Sequence, residues 1–368
     1  RIIYASFIII FLSGFVLQAQ KKTEVLPRSD KKKAIEKAGQ LLSKFYVYSE
    51  VGFQMEKHLK SLNKEGTFNK IIDPNEFVKT LTTELRSINN DKHLFMYVGS
   101  NPDEQSKEDR YLNRLIRRID REKDNFGLNR VEILDGNIGY LNLRMFADTA
   151  YAKNAATAAM NFLYNTNAII IDLRENGGGV PSMMQLLSSY FTDAKPVLLS
   201  NFYERKTDAK TQLFTIETID GKRMTNKPLY ILTSKKTFSA AEAFTYTLKH
   251  LDKAVVVGEV TKGGANRTKT INLSSDFSIS VPYIKAIHPV TLSNWEGKGV
   301  QPNIETSNNE AFVIAYIDAI NKTIKRKGKI LVPVLGVGRA QEIMMIVKYA
   351  YDNNLIVLCY LKPINFLK

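Results

Sequence analysis

Apolar residues recur at spacings of three and four through 31–48, 51–63 and 74–88, with Gly and Asn breaks between them. That period predicts three helices. Asp73 before Pro74 is a good start for the third, since proline suits the first helical position. Residues 101–124 are dense in charge and fit either a helix or a connector. From Val131 the pattern changes. Short, β-branched apolar runs at 139–145, 168–173, 229–233 and 254–258 read as strands. They alternate with helical patterns at 150–165, 180–191 and 240–251, and 268–305 looks β-rich. The alternation predicts an α/β layered domain with a largely parallel sheet, behind an N-terminal helical bundle.

The 368 residues suffice for about two domains and a substantial core. Net charge is +15, with clusters at 31–33 and 325–329. These clusters lack the interleaved aromatics of a single-strand-binding surface, so they read as solvated basic surface, with no nucleic-acid partner. Cys359 is the sole cysteine, which excludes an intrachain disulfide and a cysteine-based zinc cluster. Arg1 followed by the apolar run from Ile2 to Leu17 and then Gln-Ala-Gln-Lys-Lys has the form of a secretory signal peptide. The expectation is a signal over 1–19, cut after Ala19, and an exported, periplasmic or secreted protein with no stable membrane span afterwards.

Ser239 lies between the strand-like run 228–233 and the helical run that begins at Ala240. A helix N-terminus favours negative charge, so a serine there can serve as a nucleophile. Ser239 and Glu242 also have the spacing of a capping box, which needs no chemistry. The strand 168–173 runs into the glycines at 177–179, whose N–H groups could converge on an anion or merely form a tight turn. His93 sits in the polar turn 89–94. Among four histidines it is the best candidate for a base titrating near neutrality. His58, His250 and His288 read as surface, helix-end and loop residues. The segment 258–266 is a second glycine-rich turn, read as a loop at the site edge. Glu296, beside the sole tryptophan, Trp295, is either a solvated glutamate or a carboxylate that orients an imidazole.

Five segments, in order, resemble the tricorn-like and C-terminal-processing serine peptidases. The branch most similar is that of interphotoreceptor retinoid-binding protein and its bacterial relatives. They are 125–146 (NFGLNRVEILDGNIGYLNLRMF), 171–179 (IDLRENGGG), 233–244 (TSKKTFSAAEAF), 258–266 (GEVTKGGAN) and 294–302 (NWEGKGVQP). The resemblance spans roughly 30–325. It implies a crotonase/ClpP-like ββα layered core, with no PDZ-like segment visible here, and a serine peptidase working on peptide or protein substrates without a cofactor or metal. Residue by residue it implies Ser239 as nucleophile, His93 as general base and Glu296 as distal carboxylate. The N–H groups of Ala240 and a glycine of 177–179, Gly178 first, would form the oxyanion hole.

The sequence departs from the Ser–Lys branch of that family. Gly264 stands where the lysine base would be, and Lys262 is displaced by two residues. That departure favours His93 as base. The expected organisation is a signal over 1–19, a helical N-terminal domain with connector over 20–124, a catalytic domain over 125–326 and an unrelated tail over 327–368. Part of the tail (GKILVPVLGVGRAQEIMMI) resembles a β-CASP metallo-β-lactamase RNA nuclease, but no His-x-His-x-Asp-His metal cluster accompanies it. The alternative function on the same scaffold is a non-catalytic module binding an apolar ligand such as a retinoid or fatty acid.

Overall fold

The computed structural model describes residues 26–100 and 106–325, with Met345, Lys348 and Tyr349 beyond them. The expected signal segment, and all but those three residues of the tail after Lys325, lie outside the described residues. Helices α1 (Arg28–Phe45), α2 (Ser49–Glu65) and α3 (Pro74–Ile88) come first. Asp73 caps α3 by accepting the Glu76 N–H at 2.8 Å, and Gly66 ends α2 in the left-handed conformation. Strand β1 (Phe95–Val98) and the charged helix α4 (Lys107–Lys123) follow. Helix α4 buries none of its residues.

The central sheet contains β2 (Leu128–Leu134), β3 (Ile138–Leu143), β4 (Ala168–Asp172), β7 (Leu229–Thr233), β8 (Val255–Gly258) and β11 (Ile304–Glu305). Their order is β11-β8-β7-β4-β3-β2, parallel throughout except for the β2–β3 pair. Alternate residues of β4 serve two layers, as the period of a strand requires. Ile169 and Ile171 pack under α5 (Thr149–Phe162), α6 (Pro181–Tyr190) and α7 (Ala240–His250). Ala168 and Ile170 face α8 (Ala311–Lys325) across Ala311, Ala315 and Ala319. The strand is buried on both faces, which explains its unbroken apolar run.

A second, antiparallel sheet joins β1, β5 (Leu198–Glu204), β6 (Ala209–Phe214), β9 (Arg267–Asn272) and β10 (Phe277–Ile287). Here the structure extends the sequence reading. The N-terminal helices pack on one another and also on the second sheet, with Leu42, Phe77 and Leu81 sharing a core with Phe277, Ile279 and Val281. Lys31 also departs from its reading as solvated surface. It is 3% exposed and donates to the carbonyls of Phe68, Asn69 and Ile71. Among the described residues, no helix is long and apolar enough to cross a membrane.

Candidate active site

Ser239 is the N-cap of α7, one turn after β7 ends. Its backbone lies at φ 56° and ψ −118°, a conformation L-residues rarely adopt. One limb of the capping box carries a hydrogen bond: Ser239 N–H donates to Glu242 Oε2 at 2.7 Å.

Glu242 does more than its spacing suggested. It is fully buried and accepts four hydrogen bonds, the others coming from Thr261 Oγ1 and the N–H groups of Gly263 and Gly264. One carboxylate therefore ties the serine turn to the second glycine turn. Burial raises its pKa, and the four donors work against that rise.

The first glycine turn is built by Asn176, also fully buried. Its Nδ2 donates to Leu143 O, and its carbonyl accepts the Phe238 N–H next to the serine. Its Oδ1 accepts the Gly178 N–H at 2.8 Å. That bond engages the N–H of Gly178, the glycine named first for the oxyanion role. Gly178 still packs directly on the serine: a Cβ there would stand 2.7 Å from Ser239 Cβ. Gly179, at φ 145°, lines the same cavity as Ser239 and Ala240.

That cavity, about 270 Å³, is also lined by His93, Asn266, Met184, Leu213 and Trp295. His93 comes from the turn between α3 and β1. Its ring lies on Phe238, with centroids 4.4 Å apart. Burial first, then Lys262 and Arg86, lowers its pKa from 6.5 to about 4. The imidazole occupies the space a side chain at position 264 would need: a Cβ on Gly264 would meet His93 Cε1 at 2.8 Å and Phe238 Cε2 at 2.3 Å.

Glu296 follows Trp295, whose Nε1 donates to Gly264 O. Glu296 Oε2 accepts the N–H groups of Ala265 and Asn266. Ligand-capable atoms of Glu296, His93 and Asp91 lie within 4.8 Å of one another. Burial, and then the charge of Asp91, pushes the Glu296 pKa up to about 7. Asp91 was not singled out by the sequence. It is 1% exposed and accepts from Tyr46 Oη and from the His93 N–H. Its place two residues before the candidate base was the available signal.

Of the remaining histidines, His288 lines the same cavity. His58 pairs with Glu84 of α3 at 2.9 Å. His288, read as a loop residue, is 3% exposed and packs beside Tyr246 and His250.

Residues 137–306 match the model of peptidase family S41. Residues 20–124 match the N-terminal domain of peptidase S41 in eukaryotic IRBP. The carboxy-terminal processing protease CtpA of Bacillus subtilis is 28% identical over 199 residues, covering 53% of this chain and 40% of its own. The chloroplastic carboxyl-terminal-processing peptidase 2 of Arabidopsis thaliana is 30% identical over 155 residues, or 39% of this chain and 27% of its own. The chain thus spans well under half the length of these curated relatives. The crystal structure of a putative peptidase from Parabacteroides merdae superposes with a TM-score of 0.54 at 17% identity, covering 80% of this chain and 97% of that one. That likeness concerns the fold.

Proposed function

The chain belongs to peptidase family S41, and on that premise we propose that it is an exported serine peptidase with Ser239 as nucleophile and His93 as base. The observation that carries this reading is the convergence of Ser239, Ala240, Gly179 and His93 on one cavity. His93 takes the hydroxyl proton as Ser239 Oγ attacks the peptide carbonyl carbon. The oxyanion is held by the N–H of Ala240, at the positive end of α7, and by that of Gly179, since Asn176 engages Gly178. His93 returns the proton to the departing amine, leaving an acyl-enzyme. Water, deprotonated by His93, then releases the acid and restores Ser239. Glu296 orients the imidazole and stabilises its charged form. A lysine base has no room at position 264, which also favours His93.

The apolar-ligand module is the weaker reading. The cavity mixes its apolar side chains with His93, Ser200, Ser239, Asn266 and Arg267, a lining more polar than an apolar ligand calls for. Export rests on the apolar run from Ile2 to Leu17 and is tested by fractionating cells that express the full chain. The chemistry is tested with a fluorophosphonate probe. Wild type should be labelled covalently and should cleave peptides, and Ser239→Ala should do neither. Labelling that survives the substitution sinks the assignment.

A further inference from the structure

Behind His93 lies a group of acceptors with no cation to face. Asp91 and Glu296 are two inward-facing carboxylates, and among the described residues neither forms an ion pair. The nearby Arg86 guanidinium turns instead to the carbonyls of Leu94 and Lys92. Glu296 Oε1 and His93 Nδ1 are both buried and without a hydrogen-bond partner. Asn266 supplies an independent sign. It is 1% exposed, and its amide is turned toward Asp91 and Tyr48 without completing a hydrogen bond of good geometry to either. Buried amides are nearly always satisfied, so the loose fit marks a space beside the two carboxylates that the chain itself does not fill.

We propose that Asp91, His93 and Glu296 form a site for a small divalent transition-metal cation of the Zn²⁺ type, which reversibly inhibits the enzyme. The donor set is one imidazole nitrogen and two carboxylates, leaving a fourth position for water. Imidazole and carboxylates are ordinary zinc ligands, and two carboxylates balance the charge of a divalent ion. Ligand atoms on tetrahedral zinc stand about 3.4 Å apart, given metal–ligand distances of about 2.0–2.1 Å. The three titratable side chains, within 4.8 Å of one another, need only a small rotamer adjustment to close on it. His93 and Asn266 also line the open cavity, which gives the ion a way in.

The consequence follows from the imidazole's two nitrogens. Metal on Nδ1 requires the proton to sit on Nε2, which makes that nitrogen a donor and unable to take the Ser239 proton. The cation thus stands in for the proton that Nδ1 would otherwise give to Glu296. Inhibition rests on the peptidase reading; binding does not.

The test uses the full chain stripped of metal with a chelator. Titration calorimetry should show one Zn²⁺ bound per chain, and Co²⁺ should give the visible absorption of a four-coordinate site. Glu296→Gln and His93→Gln, with their unfolding midpoints measured alongside, should each weaken Zn²⁺ at least about tenfold. Ser239→Ala should bind Zn²⁺ as wild type does. Zn²⁺ should block fluorophosphonate labelling of wild type, and EDTA should restore it. No Zn²⁺ uptake by wild type, or uptake unchanged in both ligand variants, overturns the site. Site-specific uptake by a metal-free chain that the probe never labels leaves the site standing and sinks the peptidase reading instead.

Discussion

A methyl group at position 264 would compete with the imidazole for space. The Cβ of Gly264→Ala would come within 2.8 Å of His93 Cε1 and 2.3 Å of Phe238 Cε2, so both rings must move. Displacing a catalytic group by about 1 Å can cost on the order of 10²-fold in rate. Gly264→Ala should therefore lower kcat/KM by roughly that factor while far-UV circular dichroism stays unchanged. Shrinking the ring in Gly264→Ala/Phe238→Leu should recover part of the loss. A single variant as active as wild type would show that His93 is not held where this packing puts it. The absence of a lysine at 264 was legible in the sequence, because it is a residue identity at a motif position. The unpartnered polar atoms of His93 and Asn266 were not. Their significance depends on a meeting of the turn at 91–93 with the loop at 265–266, some 170 residues apart, and no local pattern encodes that meeting.

At the end of β4 the chain must hold a glycine turn still without help from glycine side chains. The clamp is an ion pair. Arg174 Nε and Nη2 bracket the Asp172 carboxylate at 2.9 and 2.6 Å, Tyr140 Oη donates to the same carboxylate, and Arg174 O accepts Ser234 Oγ. Burial pushes the Asp172 pKa up, but the Arg174 and Tyr140 contacts outweigh it and leave the pKa below 3.8. A carboxyl depressed on folding adds stability that is fully present above its unfolded pKa and is lost as pH falls through its folded one. The stability gap between wild type and Asp172→Asn, read by urea unfolding, should therefore be constant from neutrality to about pH 5. It should narrow below the ordinary carboxylate value of 3.8. A gap that widens in acid would mean the pair does not hold Asp172 ionised. Glu242 plays the matching part at the start of α7. Removing it in Glu242→Ala strands three N–H groups and a hydroxyl, each costing about 1–3 kcal/mol when buried and unpaired. Glu242→Ala should unfold at clearly lower urea, and the folded remainder should resist fluorophosphonate labelling. Buried strands such as β4 and helices such as α7 were readable because burial imposes an apolar period on them. The β5–β6 hairpin went unseen: five of the six residues of β6 are exposed, so nothing forces alternation there.

The candidate base comes from one part of the chain and the candidate nucleophile from another. His93 lies within the N-terminal family match, whereas Ser239 and Glu296 lie within the peptidase match. The two parts share a core: Phe77 of α3 meets Phe277 of β10 edge-on, with ring centroids 5.3 Å apart, and Phe277 is fully buried. From sequence the helices looked like a bundle because their periodicity shows that a face is buried, not what buries it. A core shared this way should make the helices and the peptidase sheet unfold together. Trp295 is the chain's single tryptophan and sits in a different cluster, with Ala265 and Val300. Its fluorescence reports the active-site side, while far-UV circular dichroism reports all helices, α1 to α3 included. Phe277→Ala should cost about 3–5 kcal/mol, as for other buried phenylalanines. Both signals should then move to lower urea by the same amount and still coincide, as a two-state transition requires. If circular dichroism lost its helical part early while Trp295 stayed at the wild-type midpoint, the N-terminal helices would be a separately folding unit. His93 would then be delivered to Ser239 by docking rather than by a common core, and activity should vanish at urea concentrations where Trp295 remains buried.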